Sequence, residues 1–217
     1  QPCQMLARAE PRGIPELLPR ILHTVRFIGS HSKYYNTQER IAGLLTKVSN
    51  EIINRCAAKI SLEEIFEGDV DASMRDLSDS VAAMGAWRRA YAMERLCTAR
   101  AGGSGVWEFA DTGIFAYVDA FVKRCRDLLD VCEGQVQFAR KQGATKARVP
   151  SFGGASGPDI MKGLVEIERA FEKQIHQLRN VGYAILDVKA TRWHDDFSAF
   201  LRAANDLELM TQNLISS

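Results

Sequence analysis

Ile114-Phe-Ala-Tyr-Val-Asp-Ala-Phe-Val-Lys-Arg-Cys-Arg-Asp-Leu-Leu-Asp-Val-Cys132 carries its apolar side chains at Ile114, Phe115, Val118, Phe121, Val122, Cys125, Leu128, Leu129 and Cys132. Steps of three and four put all of them on one face of an α-helix, whereas a half-buried strand would alternate at every second residue. Lys123 falls on the opposite, wet face. The stripe continues for ~5 helical turns, which is long for a globular helix of ~11 to 12 residues.

The same periodicity recurs on both sides of this stretch. Leu17, Leu18, Ile21, Leu22, Val25 and Ile28 form one stripe, with Pro15 suited to the first turn. Tyr34-Tyr-Asn36 interrupts it, and Thr37 is placed to cap a helix whose buried face holds Ile41, Leu44, Leu45, Val48, Ile52, Ile53 and Cys56. Ser61-Leu-Glu-Glu64 reads as a capping box opening a short turn of helix through Phe66. Met74, Leu77, Val81, Met84, Trp87 and Tyr91 mark a third long helix, with Arg88 and Arg89 left to solvent. Ile160, Leu164, Ile167, Phe171, Ile175 and Leu178 mark another, and Trp193, Phe197, Phe200, Leu201, Ala204, Leu207, Met210 and Leu214 the last.

Helices are therefore expected near residues 14–30, 37–60, 71–98, 111–141, 158–186 and 191–217. Two Gly-rich breaks, at Ala101–Gly105 and between Gly143 and Gly157, separate them. The class is all-α: an elongated bundle of long amphipathic helices and a fragment of something larger. The richer break gives the domain reading, with 1–142 as a first bundle, 143–157 as a Gly/Pro-rich connection and 158–217 as a second helical pair. The last stripe is unbroken at Ser217 and the start, Gln1-Pro-Cys-Gln4, has neither an initiator Met nor a signal pattern, so continuation in a parent chain is expected.

Composition narrows the function. With 46% hydrophobic and 25% charged residues the chain is far from a disordered composition. Twenty-eight Lys and Arg against twenty-seven Asp and Glu leave no field that would attract nucleic acid. No apolar run approaches the ~20 residues of a membrane span. The five cysteines are odd in number, and Cys56, Cys125 and Cys132 lie on apolar helical faces, which fits a reducing intracellular compartment.

Few residues suggest chemistry. Phe152-Gly-Gly-Ala-Ser-Gly-Pro158 leads into a helix, but no Lys-Ser or Lys-Thr follows at the spacing of a nucleotide phosphate loop. His194-Asp-Asp196 is the densest group of metal-ligand types, yet adjacent helical residues fan out by about 100° and do not converge on one ion. Cys125 and Cys132, seven residues apart, share the face of Phe121 and Leu128 and read as buried, inert thiols. Catalytic, cofactor and metal sites are therefore expected to be absent. Trp87, Trp107 and Trp193, each flanked by charge, suit either partly covered core positions or subunit contacts.

Specific strings carry the reading further. Leu22-His-Thr-Val-Arg-Phe-Ile-Gly-Ser30, Tyr34-Tyr-Asn-Thr-Gln-Glu-Arg40 and Leu44-Leu-Thr-Lys-Val-Ser-Asn-Glu-Ile-Ile53 resemble the first tail region of dynein heavy chains. Trp107-Glu-Phe109, Ile114-Phe115 and Arg124-Cys-Arg-Asp-Leu-Leu129 continue the likeness. Val131-Cys-Glu-Gly-Gln135, Gln137-Phe-Ala-Arg140, Ile185-Leu-Asp-Val-Lys189 and Trp193-His-Asp-Asp196 look axonemal, most similar to the beta heavy chains of two-headed inner-arm dyneins. The stretches Arg95–Val106 and Gly143–Pro150 carry none of it.

The resemblance implies a structural and assembly segment of a microtubule motor, with ATP and Mg bound elsewhere in a very long parent chain. Its implied partners are another dynein heavy chain, intermediate and light chains and axonemal docking proteins, in the cytoskeleton of a cilium or flagellum. The final stripe has no helix after it to close it, so Trp193, Phe197, Phe200 and Leu207 are expected as protein-contact residues. An independent helical adaptor unrelated to motors is the alternative, binding partner helices in a groove. A small helical enzyme using the loop at Phe152–Pro158 is a third reading, and would show a polar pocket beside it.

Overall fold

The structure, a computed structural model, describes residues 2–100, 107–147 and 157–216. Helices account for most of these, and no strand occurs among the described residues. The helices are α1 (Pro2–Leu6), α2 (Ile14–His31), α3 (Gln38–Lys59), α4 (Leu62–Glu67), α5 (Val70–Arg100), α6 (Thr112–Ala147), α7 (Gly157–Arg179) and α8 (Trp193–Ser216), with a 3-10 turn at Pro11–Gly13. The all-α expectation holds.

Most ends lie within two residues of those the periodicity predicts, and two differ by more. Helix α6 runs through Gly143 to Ala147; a single Gly costs a helix only ~1 kcal/mol, which neighbouring helix formers absorb. Helix α7 stops at Arg179, well before residue 186. There the His176 carbonyl accepts both the Asn180 backbone N–H at 3.2 Å and its side-chain amide at 2.8 Å, and Gly182 follows, a residue with low helix propensity. The five-residue α1, from Pro2, has no counterpart in the expected elements. A helix this short carries too little periodicity to be read.

Residues 1–61 with 72–128 form one compact unit, and 62–71 with 129–217 a second. The expected connection over 143–157 lies largely outside the described residues, which omit 148–156.

In the first unit, Leu18, Ile21 and Leu22 of α2, Leu45, Ile52 and Cys56 of α3, Leu77, Met84 and Trp87 of α5 and Phe115, Phe121 and Cys125 of α6 are buried. Its centre is aromatic. Trp87 and Tyr91 lie 6.1 and 5.2 Å from Phe115, and Tyr91 stacks on Trp107 at 5.8 Å. The Trp87 indole N–H donates to Ser49 Oγ at 2.8 Å, so the polar edge of a fully buried ring is satisfied.

The turn between α2 and α3 is held by its own side chains. The α2 ladder ends where Ser32 N–H donates to the Ile28 carbonyl at 2.9 Å. Thr37 Oγ1 accepts from Arg40 N–H at 3.4 Å, as an N-cap should. The Arg40 guanidinium donates to the Tyr34 carbonyl and lies 3.9 Å from that ring's centroid.

In the second unit α7 and α8 are an antiparallel pair: Gly163 meets Leu214 while Phe171 meets Phe200, 6.1 Å between rings. At Gly163 the helices pack closely: a Cβ there would sit 2.7 Å from a Leu214 methyl carbon. Phe138 of α6 stacks on Phe171 at 4.0 Å, and α4 also rests on α7. At the exit of α4, Glu64 accepts from Asp69 N–H at 2.7 Å, and a Cβ on Gly68 would come within 2.9 Å of Glu64 Cα. Only Gly fits that turn without a shift.

Candidate protein-contact surfaces

Trp193, Phe197, Phe200 and Leu207 occupy one face of α8, as their spacing requires, and all four are buried. Trp193 and Phe197 stack at 5.6 Å, Phe197 and Phe200 at 6.3 Å, and the row continues through Phe171 to Phe138. The expectation that this stripe stands uncovered is corrected. Its closing helix precedes it in the chain: the segment between Asn180 and Arg192 turns back, the Tyr183 hydroxyl donates to Asp196 at 2.7 Å, and α8 lies along α7. Sequence periodicity reports which face is apolar but not which neighbour covers it.

The apolar side chains that do reach solvent on this pair are others: Val165 on α7, and Leu209 and Met210 on α8, the last two more than half exposed. They flank the buried row. Beside Met210 lies a shallow recess of about 170 Å³ lined also by Gly163, Ile167, Leu207 and Leu214. Of the three exposed residues Met210 lay within the sequence stripe and Val165 and Leu209 beside it, and a stripe gives no sign of which edge is left open.

The other sequence candidates resolve as follows. Trp87 and Trp107 are buried in the first unit, so all three tryptophans are core residues. Cys56, Cys125 and Cys132 are buried free thiols, and Cys3 and Cys97 are exposed ones. Burial pushes Cys56 and Cys132 up to about 11, although a hydrogen bond with Ser80 works the other way at Cys56; Cys125 is raised too. Such thiols are neutral at physiological pH and poor nucleophiles. His194 and Asp195 are exposed, Asp196 is held by Tyr183, and no cluster of metal-ligating groups occurs among the described residues. The loops at Ala101–Gly105 and Phe152–Ser156 lie outside the described residues.

The strings around Ser30 and Tyr34–Arg40 line a small recess of about 200 Å³ in the first unit, with Arg26, Gly29, Thr37 and Trp107 among its walls. Arg26 there is paired with Glu94 at 2.9 Å. The contents are a helix cap, a cation–π contact and a salt bridge, which organise a turn.

The family described as dynein heavy chain, N-terminal region 1, matches residues 1–217. The chain belongs to this family. This dynein heavy chain region is 46% identical over 216 residues to the dynein-1-beta heavy chain, flagellar inner arm I1 complex, of Chlamydomonas reinhardtii, covering 99% of this chain and 5% of that protein. It is 25% identical over 193 residues to the dynein beta chain, flagellar outer arm, of the same organism, covering 89% and 4%. It is also 29% identical over 217 residues to dynein axonemal heavy chain 2 of Mus musculus, covering 100% and 3%. The likeness to axonemal heavy chains, and to an inner-arm beta chain among them, therefore holds. The chain spans about 5% or less of the length of these relatives.

Proposed function

We propose that this region is a structural and assembly segment of an axonemal dynein heavy chain. It supports association with another heavy chain, binding of intermediate and light chains, and anchoring of the motor on docking proteins in the cytoskeleton of a cilium or flagellum. In this reading the segment itself is no enzyme and holds no cofactor, and ATP with Mg is bound in the motor region of the parent chain. The observation that carries it is the match along 99% of the chain to a flagellar inner-arm heavy chain. Its folding into long packed helices, several of them over 20 residues, agrees with a part that presents side faces to companions.

The contact surface in this reading moves from the buried row to the exposed apolar residues beside it. Recovery of axonemal proteins from an extract on the immobilised chain should fall when Leu209→Asp and Met210→Asp are combined, with the helical circular dichroism signal unchanged. Equal recovery of every heavy, intermediate and light chain would remove this face from the proposal. Titration with MgATP should give no saturable heat, and saturable micromolar binding would overturn the non-enzymatic reading.

A further inference from the structure

The second unit contains an open groove of about 930 Å³, bounded by α4, the turn into α5, the part of α6 around Gln135 and one side of α7. Its floor is apolar: Phe66, Phe138 and Phe171 are buried at its base, and Ile175 and Val136 are half-buried in its wall. Its rim is acidic. Glu67, Asp69, Asp71 and Glu172 border it, against one guanidinium among the described residues, that of Arg179. Arg179 is itself paired with Glu67, while no ion pair reaches Asp71 or Glu172 among the described residues. His176 stands at the Arg179 end, where its ring contacts the Asn180 amide.

The charge is not a chance of one rim. Between Lys59 and Arg75 the chain has Glu63, Glu64, Glu67, Asp69 and Asp71 and no basic residue, in a sequence whose total is balanced to +1. The fold places Glu67, Asp69 and Asp71 of that run at the lip of the groove, with the Gly68 turn held by the Glu64 carboxylate on Asp69 N–H. A trough that is open, apolar at its base and lined on its lip by carboxylates suits an occupant with an apolar stripe and cationic flanks. Pockets for small molecules fall in the same range of volume but enclose most of their ligand. An open trough admits one face of a helix.

We propose that this groove binds a basic amphipathic helix of a partner protein, its apolar stripe on Phe66, Phe138, Phe171 and Ile175 and its Lys or Arg side chains against Asp71 and Glu172. The helix-in-groove mode supplies the apolar contact, and the carboxylates set orientation and exclude acidic helices. This site is separate from the exposed residues of α8 invoked above, and its failure would leave the family reading untouched.

The test uses the full 217-residue chain and three fluorescent peptides of equal length, read by anisotropy: a Leu/Lys amphipathic helix, its Leu/Glu counterpart, and a Gly/Lys peptide with the same positive charge and no apolar stripe. The Leu/Lys helix should bind, and the other two should bind at least tenfold more weakly. Asp71→Lys with Glu172→Lys should weaken the Leu/Lys helix at least tenfold, and Ile175→Ser should weaken it several-fold, both variants keeping the helical signal of the parent. Equal binding of the Gly/Lys peptide would show charge attraction without a groove and overturn the proposal. So would unchanged affinity in the double variant, which would place the contact elsewhere.

Discussion

The two compact units use their aromatic residues in different ways. In the first, Trp87 and Tyr91 of α5, Phe115 of α6 and Trp107 from the segment before α6 meet one another, and the Trp87 ring is anchored by its hydrogen bond to Ser49. In the second, Trp193, Phe197, Phe200, Phe171 and Phe138 follow one another in a row, and the last two form the floor of an open groove. A closed cluster has protein on every side of each ring, so it resists truncation through packing alone. A row that ends under a groove has a side where chain or solvent can move in. The first arrangement suits a core whose only task is to hold helices, and the second suits a face that also serves a partner.

Truncation separates them most sharply. Phe121 is fully buried in α6, and Phe121→Ala should cost about 3 to 5 kcal/mol in chemical denaturation. Phe171→Ala should fall at or below the lower end of that ~3 to 5 kcal/mol range, because the groove beside the ring lets the site collapse or hydrate. Equal losses at the two positions would erase the distinction. Arg126→Ala is the proper surface control, since Lys123, although exposed, reaches Asp127 at 3.2 Å and Asp127 is almost fully buried.

The anchor inside the first cluster comes next. Ser49→Ala leaves the Trp87 N–H buried without its acceptor, and should cost about 1 to 3 kcal/mol. Ser80→Ala makes the comparison: its hydroxyl bonds back to the Asp76 carbonyl of its own helix at 2.8 Å, and that acceptor keeps its helical partner, so the loss is confined to the weaker bond with the Cys56 thiol. A melt of Ser49→Ala that matches the parent would show that the indole finds another partner.

Alkaline pH tests both units at once. Cys56 in the first and Cys132 in the second rise from 9.0 to about 11 on burial, and Tyr91 is also raised. Above pH 9 the unfolded chain sheds thiol protons that the folded chain retains, so stability falls as pH rises from about 9 toward 11 and is indifferent to these groups below 9. Denaturation midpoints at pH 8 and pH 10.5 should differ, and Cys56→Ala or Cys132→Ala should reduce the difference. Thiol labelling of the native protein should reach Cys3 and Cys97 alone.

Helix class, most helix ends and the buried faces were legible because they depend on periodicity within one segment: the stripe from Ile114 to Cys132 needs no knowledge of its neighbours. The cap at Thr37 was legible for the same reason. What covers the stripe of α8 was not, because Tyr183–Asp196 and the Phe171–Phe200 contact join residues whose proximity no local pattern encodes. The Ser49 acceptor for Trp87, 38 residues away, belongs to the same class. The groove was half legible: the acidic run after Lys59 is plain in the sequence, but its position over Phe138 and Phe171 is a product of folding.

The smallest effects belong to the two turns, and they extend the contrast to the loops. The α2–α3 turn of the first unit is held by side chains, with the Thr37 cap and the Arg40 contacts to Tyr34 all at the surface. The α4–α5 turn of the second unit is held by backbone approach, since Gly68 lies against Glu64 Cα. Thr37→Ala removes one exposed capping bond of 3.4 Å while Arg40 still bridges the turn, so its cost belongs at the low end of the range for caps, about 0.5 kcal/mol. Gly68→Ala must displace backbone as well as the flexible Glu64 carboxylate, and should cost more, on the order of 1 to 3 kcal/mol. It should also weaken the Leu/Lys peptide, because Gly68 and Asp69 form part of the groove's lip. A Gly68→Ala variant as stable as Thr37→Ala, with unchanged peptide affinity, would mean that the turn yields without cost and that the lip is not built to a fixed shape.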